Sequence, residues 1–263
     1  MKKSDYLLEN SNVEAGRRFE ALSAIFDKVT FAHCQRLGLS PGWNVWEVGA
    51  GGTSVVQWLA DRVGSSGTVT ATDIDVSWAS TAIAGNVAIS KHDVVSTPLQ
   101  EGFFDLVHTR LVLVHVPERQ TALQNMIRAL RPGGLLLLED ADPALQPMAC
   151  INESGPPQVL ANKLRHAFRH LMASRGVDLA YGRKLPALLR EQGLEDVGAD
   201  CYFPVAEPFC NILEIATVKL IAPQILAANL ATKAELDQHI SNVASGALDL
   251  TTAPLISAWG KKP

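Results

Sequence analysis

The sequence predicts an α/β chain built on a doubly wound, seven-stranded, mostly parallel sheet, and three observations carry this. Between Trp43 and Glu139, short strand-like apolar runs alternate with segments of helical period, the pattern of parallel strands joined by right-handed crossovers. Leu135 to Leu138 is apolar without alternation, as a strand covered on both faces requires. At 263 residues and 47% hydrophobic content, the chain can bury one large core and still carry an insertion.

The elements follow in order. Residues 11–37 read as an amphipathic helix, with Ala15, Phe19, Leu22 and Phe26 at helical spacing and Arg18 at the edge of that stripe. Leu39-Ser40-Pro41-Gly42 breaks the chain. Val45 to Val48 is a first strand, Ser54 to Val63 a helix stopped by Gly64, and Thr68 to Thr72 a β-branched second strand. Val87 and Ile89 mark a third strand, and Phe103 to Thr109 a fourth. Pro117 opens a helix carrying Leu123, Met126, Ile127 and Leu130, which Pro132-Gly133-Gly134 closes before the fifth strand. After a Pro-rich stretch at 140–158, helices are expected at 159–175 and 185–192. Two final strands are expected at 197–203 and 254–259. The segment 208–244 is helical and apolar on more than one face, so it must be covered. A lid over the site and a contact with a second copy of the chain are both open to it.

Composition excludes several classes. A formal net charge of −4 lacks the basic footprint of a dedicated nucleic-acid binder. No uninterrupted apolar run reaches roughly 18 residues, so no membrane span is expected. The polar start, Met1 to Tyr6, lacks a signal-peptide core, which points to the cytoplasm. Cys34, Cys150, Cys201 and Cys210 form no CxxC and are expected as reduced, small apolar fillers, with no metal site.

The chemistry is concentrated in Glu47-Val48-Gly49-Ala50-Gly51-Gly52-Thr53, a glycine-rich turn between strand and helix. Such a turn lets backbone approach a ligand at a helix N-terminus. A plain structural turn and a dinucleotide site have the same look. Glu47 on the strand would face a positively charged ligand group. Asp73 ends the second strand about 20 residues on, the position of a ribose-binding carboxylate. Asp93 ends the third strand, where it would accept from an exocyclic amine while Val94 packs on a purine face.

As an ordered set, Glu47 to Gly51, Ala71-Thr72-Asp73-Ile74-Asp75, Phe104-Asp105-Leu106-Val107 and Leu130-Arg131-Pro132-Gly133-Gly134 resemble the motifs of class I S-adenosylmethionine-dependent methyltransferases over residues 40–140. The flanks resemble the UbiE-like bacterial group acting on small molecules. The resemblance implies a Rossmann-like methyltransferase fold, with S-adenosylmethionine as cofactor and S-adenosylhomocysteine as product. It implies that Gly49, Ala50 and Gly51 approach the methionine part, Asp73 the ribose, and Ile74, Asp93 and Val94 the adenine. Thr109 and Arg110 would lie near the amino-acid end, and Arg18 would reach the carboxylate unless it is a snorkelling surface arginine. Thr53 replaces the third glycine of the usual pattern. The organisation expected is an N-terminal helical lid at 1–40, a cofactor-binding core at 41–140, and cap helices with the final strands at 141–263.

The acceptor side is less defined. His115, after the fourth strand, is placed either as a general base or as a packing residue. His166 and His170 have ligand-like i, i+4 spacing, but they lie off the apolar face and are expected to be exposed. Glu139, Asp140 and Asp142 follow the fifth strand, where one of them would orient substrate or all would be solvated loop carboxylates. Tyr181 and Arg183 are further candidate contacts. The expected activity is methyl transfer by in-line displacement to a small, largely apolar O, N or C acceptor. The alternatives are a non-catalytic cofactor-binding module and an NAD-dependent oxidoreductase, for which Ser54 stands where the fingerprint wants a glycine.

Overall fold

The computed structural model describes residues 7–8, 13–78 and 85–263. Seven strands form one sheet in the order β3-β2-β1-β4-β5-β7-β6: β1 (Asn44–Val48), β2 (Thr68–Asp73), β3 (Val87–Lys91), β4 (Phe104–Arg110), β5 (Leu130–Ala141), β6 (Glu195–Tyr202) and β7 (Leu255–Lys261). β3, β2, β1, β4 and β5 run parallel, while β7 is antiparallel to both β5 and β6. The chain leaves β1 outward through β2 and β3 and returns on the other side as β4. The strand order therefore reverses between β1 and β4, and a crevice opens at the carboxyl ends of those two strands.

The helices are α1 (Val13–Arg36), α2 (Ser54–Val63), α3 (Arg119–Ala129), α4 (Pro156–Ala173), α5 (Leu185–Glu191), α6 (Pro208–Ala227) and α7 (Lys233–Ala244). α2 buries Val55, Val56, Leu59, Ala60 and Val63 in a cluster with Val45 of β1, Val69 of β2 and Leu106 of β4. Each of its large aliphatic side chains contributes about 1.5–3 kcal/mol.

The chain divides into two compact units. The sheet unit comprises 26–141, 181–202 and 255–263. The helical unit comprises 1–25, 142–180 and 203–254. In the helical unit, Leu164, Ala167, Leu171 and Met172 of α4 share a buried cluster with Val218, Leu220, Ile221 and Ile225 of α6 and Leu236 of α7.

Four sequence expectations change. Helix α3 ends at Ala129, and β5 begins at Leu130, so Pro132-Gly133-Gly134 lies inside the strand, beside a register shift against β4. Gly134 is required there, because a Cβ would stand 2.9 Å from the carbonyl oxygens of Arg131 and Phe104. At the same end of the sheet, Asp105 accepts from the Asn44 N–H and from Arg131 Nε, both at 2.7 Å, which ties β1, β4 and β5. The segment 208–244 is two helices, separated at Asn229 (φ 53°) and restarted by a Thr232/Glu235 capping box. Cys201 is exposed, whereas Cys34, Cys150 and Cys210 are buried.

The fourth change concerns α6. Among the described residues, this helix alone is long and apolar enough to cross a membrane, with a mean hydropathy of 1.4 and half of that window buried. A search for an unbroken apolar run passes over it, because Asn211, Glu214, Thr217 and Lys219 interrupt it. Its buried side packs on α4 and α7 and carries Glu214, paired with Arg165 at 3.0 Å.

Candidate active site

The glycine-rich turn leaves β1 at the crevice. Gly49 (φ 73°) and Gly51 (φ 55°) adopt left-handed backbone, which only glycine takes without strain. The N–H groups of Gly49 and Ala50 donate to the Thr72 carbonyl at 2.7 and 3.0 Å. Gly51 N–H donates to Asp73 Oδ2 at 2.9 Å. A side chain at Gly49 is further excluded because its Cβ would stand 2.2 Å from Val112 Cγ2. The segment following β4 thus packs directly on the loop. At the start of α2, the Thr53 side chain makes no capping hydrogen bond.

Asp73 is nearly buried, and burial raises its carboxyl above the ordinary value, against the lowering N–H groups of Asp75 and Gly51. Beside it, Ile74 is 45% exposed. The His92 N–H donates to the Asp73 carbonyl at 2.9 Å, bringing the end of β3 alongside. Asp93 Oδ1 accepts from the Val95 N–H at 2.9 Å. Asn125 of α3 holds that bend through the carbonyls of Val94 and Val95. Gly49, Ala50, Gly51, Asp73, Ile74, Asp93 and Val94 are therefore brought together along the carboxyl ends of β1, β2 and β3.

Other candidates lie elsewhere. Glu47 is 3% exposed, and its Oε2 meets His108 Nδ1 at 2.5 Å. Thr109 is fully buried and donates to the Val48 carbonyl at 2.9 Å, bracing the loop from beneath. Arg110 is turned to α1, where it donates to Asp27 Oδ1 and Thr30 Oγ1, both at 2.9 Å. Its charge is spent there. Arg18 lies in the part of α1 that belongs to the helical unit. His115 closes a short 3-10 turn, Leu113–His115, and is half-buried. His166, His170 and Arg183 are exposed and Tyr181 is buried. Asp142 is buried, and accepts from the Leu145 N–H at 2.9 Å. Among the described residues, no group of three or more His, Cys, Asp or Glu is arranged to hold a metal ion.

Beneath the loop runs a buried charge network that sequence reasoning missed. His108 of β4 lies between Glu47 of β1 and Glu139 of β5. Glu139 also accepts from Thr30 and Ser257 and meets His33 Nδ1 at 3.1 Å. His33 Nε2 continues to Asp200 at 2.9 Å. Burial opposes the charge on His108, but the two glutamates outweigh it and raise its pKa to about 9. Burial likewise opposes the charge on Glu139, which His108 and His33 nevertheless hold well below the usual carboxylate range. A signal was present: Glu47, His108 and Glu139 are ionisable residues inside strands whose apolar neighbours predict burial on both faces.

Asp140 points the other way. Its Oδ2 accepts from the Val114 N–H at 3.2 Å. Burial raises its carboxyl to about 8, against the lowering N–H groups of Val114, Ala141 and Leu113 and the charge of Arg119.

Comparison with known proteins agrees with this geometry. Residues 46–138 match a family model described as a methyltransferase domain. The chain is 29% identical over 230 residues to the O-methyltransferase resE of Aspergillus sclerotiorum, covering 82% of this chain and 81% of that protein. It is 29% identical over 126 residues to the ubiquinone/menaquinone biosynthesis C-methyltransferase UbiE of Vibrio parahaemolyticus, 44% of this chain and 49% of that protein. The match thus spans about half the length of the UbiE relative.

Among solved structures, phosphoethanolamine N-methyltransferase 2 of Haemonchus contortus, in complex with phosphomonomethylethanolamine and S-adenosylhomocysteine, shares the fold. Its TM-score is 0.59 at 16% identity, over 98% of this chain and 60% of that one. The [4+2]-cyclase SpnF shares it too, with a TM-score of 0.53 at 17% identity over 90% and 81%. Residues 46–138 thus carry a methyltransferase domain, and motif order, the glycine turn with Asp73 beside it and the relatives' names make the chain similar to class I S-adenosylmethionine-dependent methyltransferases, UbiE among them.

Proposed function

We propose that the chain methylates a small, largely apolar acceptor, and that the crevice at the carboxyl ends of β1, β2 and β3 holds S-adenosylmethionine. The observation that carries this is the Gly51–Asp73 hydrogen bond, which sets a left-handed glycine backbone and a nearly buried carboxylate side by side. The residues present fit the group. Gly49 and Gly51 bring bare backbone to its amino-acid end, Asp73 accepts from the ribose hydroxyls, and exposed Ile74 with Asp93 and Val94 brackets the adenine. Bound there, the cofactor supplies an activated sulfonium methyl. The chain has to bind it, align a nucleophile in line with the methyl, and exclude water. Thr109 supports the cradle from below through the Val48 carbonyl, and Glu47 does so through His108.

The apolar character of the acceptor is inferred from the sequence composition of α4 and α6, which are rich in aliphatic side chains. Nucleic acid and membrane have no part in this reading, which goes with a cytoplasmic location. α6 leaves Phe209, Ile212 and Leu226 exposed, which supports a homodimer, to be read by analytical ultracentrifugation.

Calorimetric titration with S-adenosylmethionine and S-adenosylhomocysteine tests the cofactor assignment. Saturable binding of both is expected, and no binding of either at millimolar concentration would sink it. A second reading, cofactor binding without methyl transfer, is favoured by the likeness to a cyclase, because one fold hosts unrelated chemistries. Binding of cofactor with no methylated product across a diverse panel of small molecules would select it.

A further inference from the structure

Asp140 is a buried ionisable residue outside that network. It follows Glu139 on β5, so its side chain projects to the opposite face of the sheet, toward the turn Leu113–His115. It is 1% exposed. Oδ2 is held by the Val114 N–H, but Oδ1 is buried and has no hydrogen-bond partner among the described residues. Leaving a buried carboxyl oxygen unmet costs about 1–3 kcal/mol. A fold carries that cost where some state of the protein supplies the partner.

The surroundings indicate which state. The turn that Asp140 holds leads back to Val112, which packs on Gly49 in the cofactor cradle. Leu111, between β4 and that turn, sits at φ 59°, a strained conformation for a bulky side chain of the kind that gathers at functional sites. Across the same end of β5, Gly182 has no room for a side chain, since its Cβ would stand 2.8 Å from the Asp140 carbonyl. The Arg119 guanidinium lies over the Tyr181 ring at 5.1 Å. A buried carboxyl oxygen with no partner among the described residues thus stands beside the turn whose neighbour Val112 packs on the cradle, at the carboxyl ends of the strands where ligands of such folds bind.

We propose that Asp140 is a catalytic residue that engages the acceptor: its Oδ1 accepts a hydrogen bond from a hydroxyl nucleophile and takes the hydroxyl proton as the methyl is transferred. The proton passes from the hydroxyl to Asp140. The oxygen's electron pair forms the new O–CH3 bond, and the C–S pair remains on sulfur as the thioether of S-adenosylhomocysteine. Burial makes this carboxyl a stronger base than an ordinary aspartate, as proton removal near neutral pH requires. A neutral amine attacks with its lone pair and needs no such base, so the acceptor class assigned is a hydroxyl, of which a phenol is the apolar example. The inference rests on the methyltransferase assignment.

The test uses the full chain saturated with S-adenosylhomocysteine. 4-Ethylphenol and its methyl ether, 4-ethylanisole, are titrated by calorimetry. The phenol is expected to bind about tenfold tighter, the worth of one buried hydrogen bond. In Asp140→Asn that preference is expected to fall below about twofold, with S-adenosylhomocysteine affinity unchanged. The Leu113 and Val114 amide resonances, which report on the Asp140 carboxyl, are expected to shift with the phenol and not with the ether. That measurement on the wild type decides the matter if the variant does not fold. Failure of the phenol to bind, equal binding of phenol and ether, a preference that survives Asp140→Asn, or unmoved amides would overturn the proposal. Failure of the wild type to bind S-adenosylhomocysteine would instead overturn the cofactor assignment.

Discussion

His108 Nδ1 lies 2.5 Å from Glu47 Oε2, joining β4 to β1 at the reversal of strand order, directly under the loop that begins at Gly49. Its other nitrogen meets Glu139 Oε2 at 3.3 Å. One protonated imidazole therefore bridges two buried carboxylates, and the network reaches α1 through Thr30 and His33.

Removing that cation leaves Glu47 and Glu139 buried without it. His108→Gln is expected to lower unfolding free energy at pH 7 by about 3–5 kcal/mol. The pH dependence has a definite sign. The histidine pKa rises from 6.5 to about 9 on folding, so its contribution is complete below pH 6.5 and is lost as pH rises through 9. That loss is about 3 kcal/mol. Urea denaturation of wild type and variant at pH 6.5 and pH 9 checks this: the wild type falls by more, and equal falls would remove His108 as the cause.

Gly49 carries two constraints at once, its left-handed backbone and the nearness of Val112. Gly49→Ala is expected to weaken S-adenosylhomocysteine binding at least about tenfold by displacing the loop, because backbone strain alone costs roughly 1–2 kcal/mol. Adding Val112→Ala should restore part of the affinity by relieving the contact. Calorimetry on the single and double variants reads both effects.

Arg110 separates the sequence expectation from the structure. Its ion pair with Asp27 assigns it to α1, so Arg110→Met should cost about 2–4 kcal/mol of stability and leave cofactor affinity within about threefold. A tenfold or greater loss of S-adenosylhomocysteine binding in a folded variant would return Arg110 to the cofactor.

In the helical unit, Glu214 holds Arg165 at 3.0 Å and His239 at 3.0 Å. Burial opposes its charge, yet Arg165 and His239 lower its pKa from 4.5 to about 2. Its contribution is present above pH 4.5 and is lost as pH falls toward 2. Glu214→Gln should destabilise by about 2–4 kcal/mol at pH 7 and flatten that part of the acid unfolding curve. Circular dichroism against pH follows it.

Much of the chain was legible because its signals are local. Val45 to Val48, Thr68 to Thr72 and the Leu135–Leu138 run announce strands by side-chain type. Gly49 and Asp73 stand out by their positions at strand ends, and the structure places Gly49 just after β1 and Asp73 at the end of β2. Errors arose where local punctuation met a longer-range demand. Pro132-Gly133-Gly134 looks like a helix stop, but β4 pairs with β5 from Leu130 onward. The segment 208–244 looks continuous by hydropathy, but Asn229 and the Thr232 cap divide it.

The sequence by itself determined the sheet and the glycine turn, since strand period and glycine freedom are properties of neighbouring residues, and its motif order, through resemblance, pointed to the cofactor. Only the tertiary structure decided which groups Glu47, Arg110 and Asp140 meet. Thr30 meets Glu139 across 109 residues, and His33 meets Asp200 across 167. An ionisable side chain takes its role from whichever opposite charge the fold lays against it, and no local pattern encodes that partner. Glu47 and Arg110 thereby meet His108 and Asp27, while Asp140 Oδ1 has no partner among the described residues.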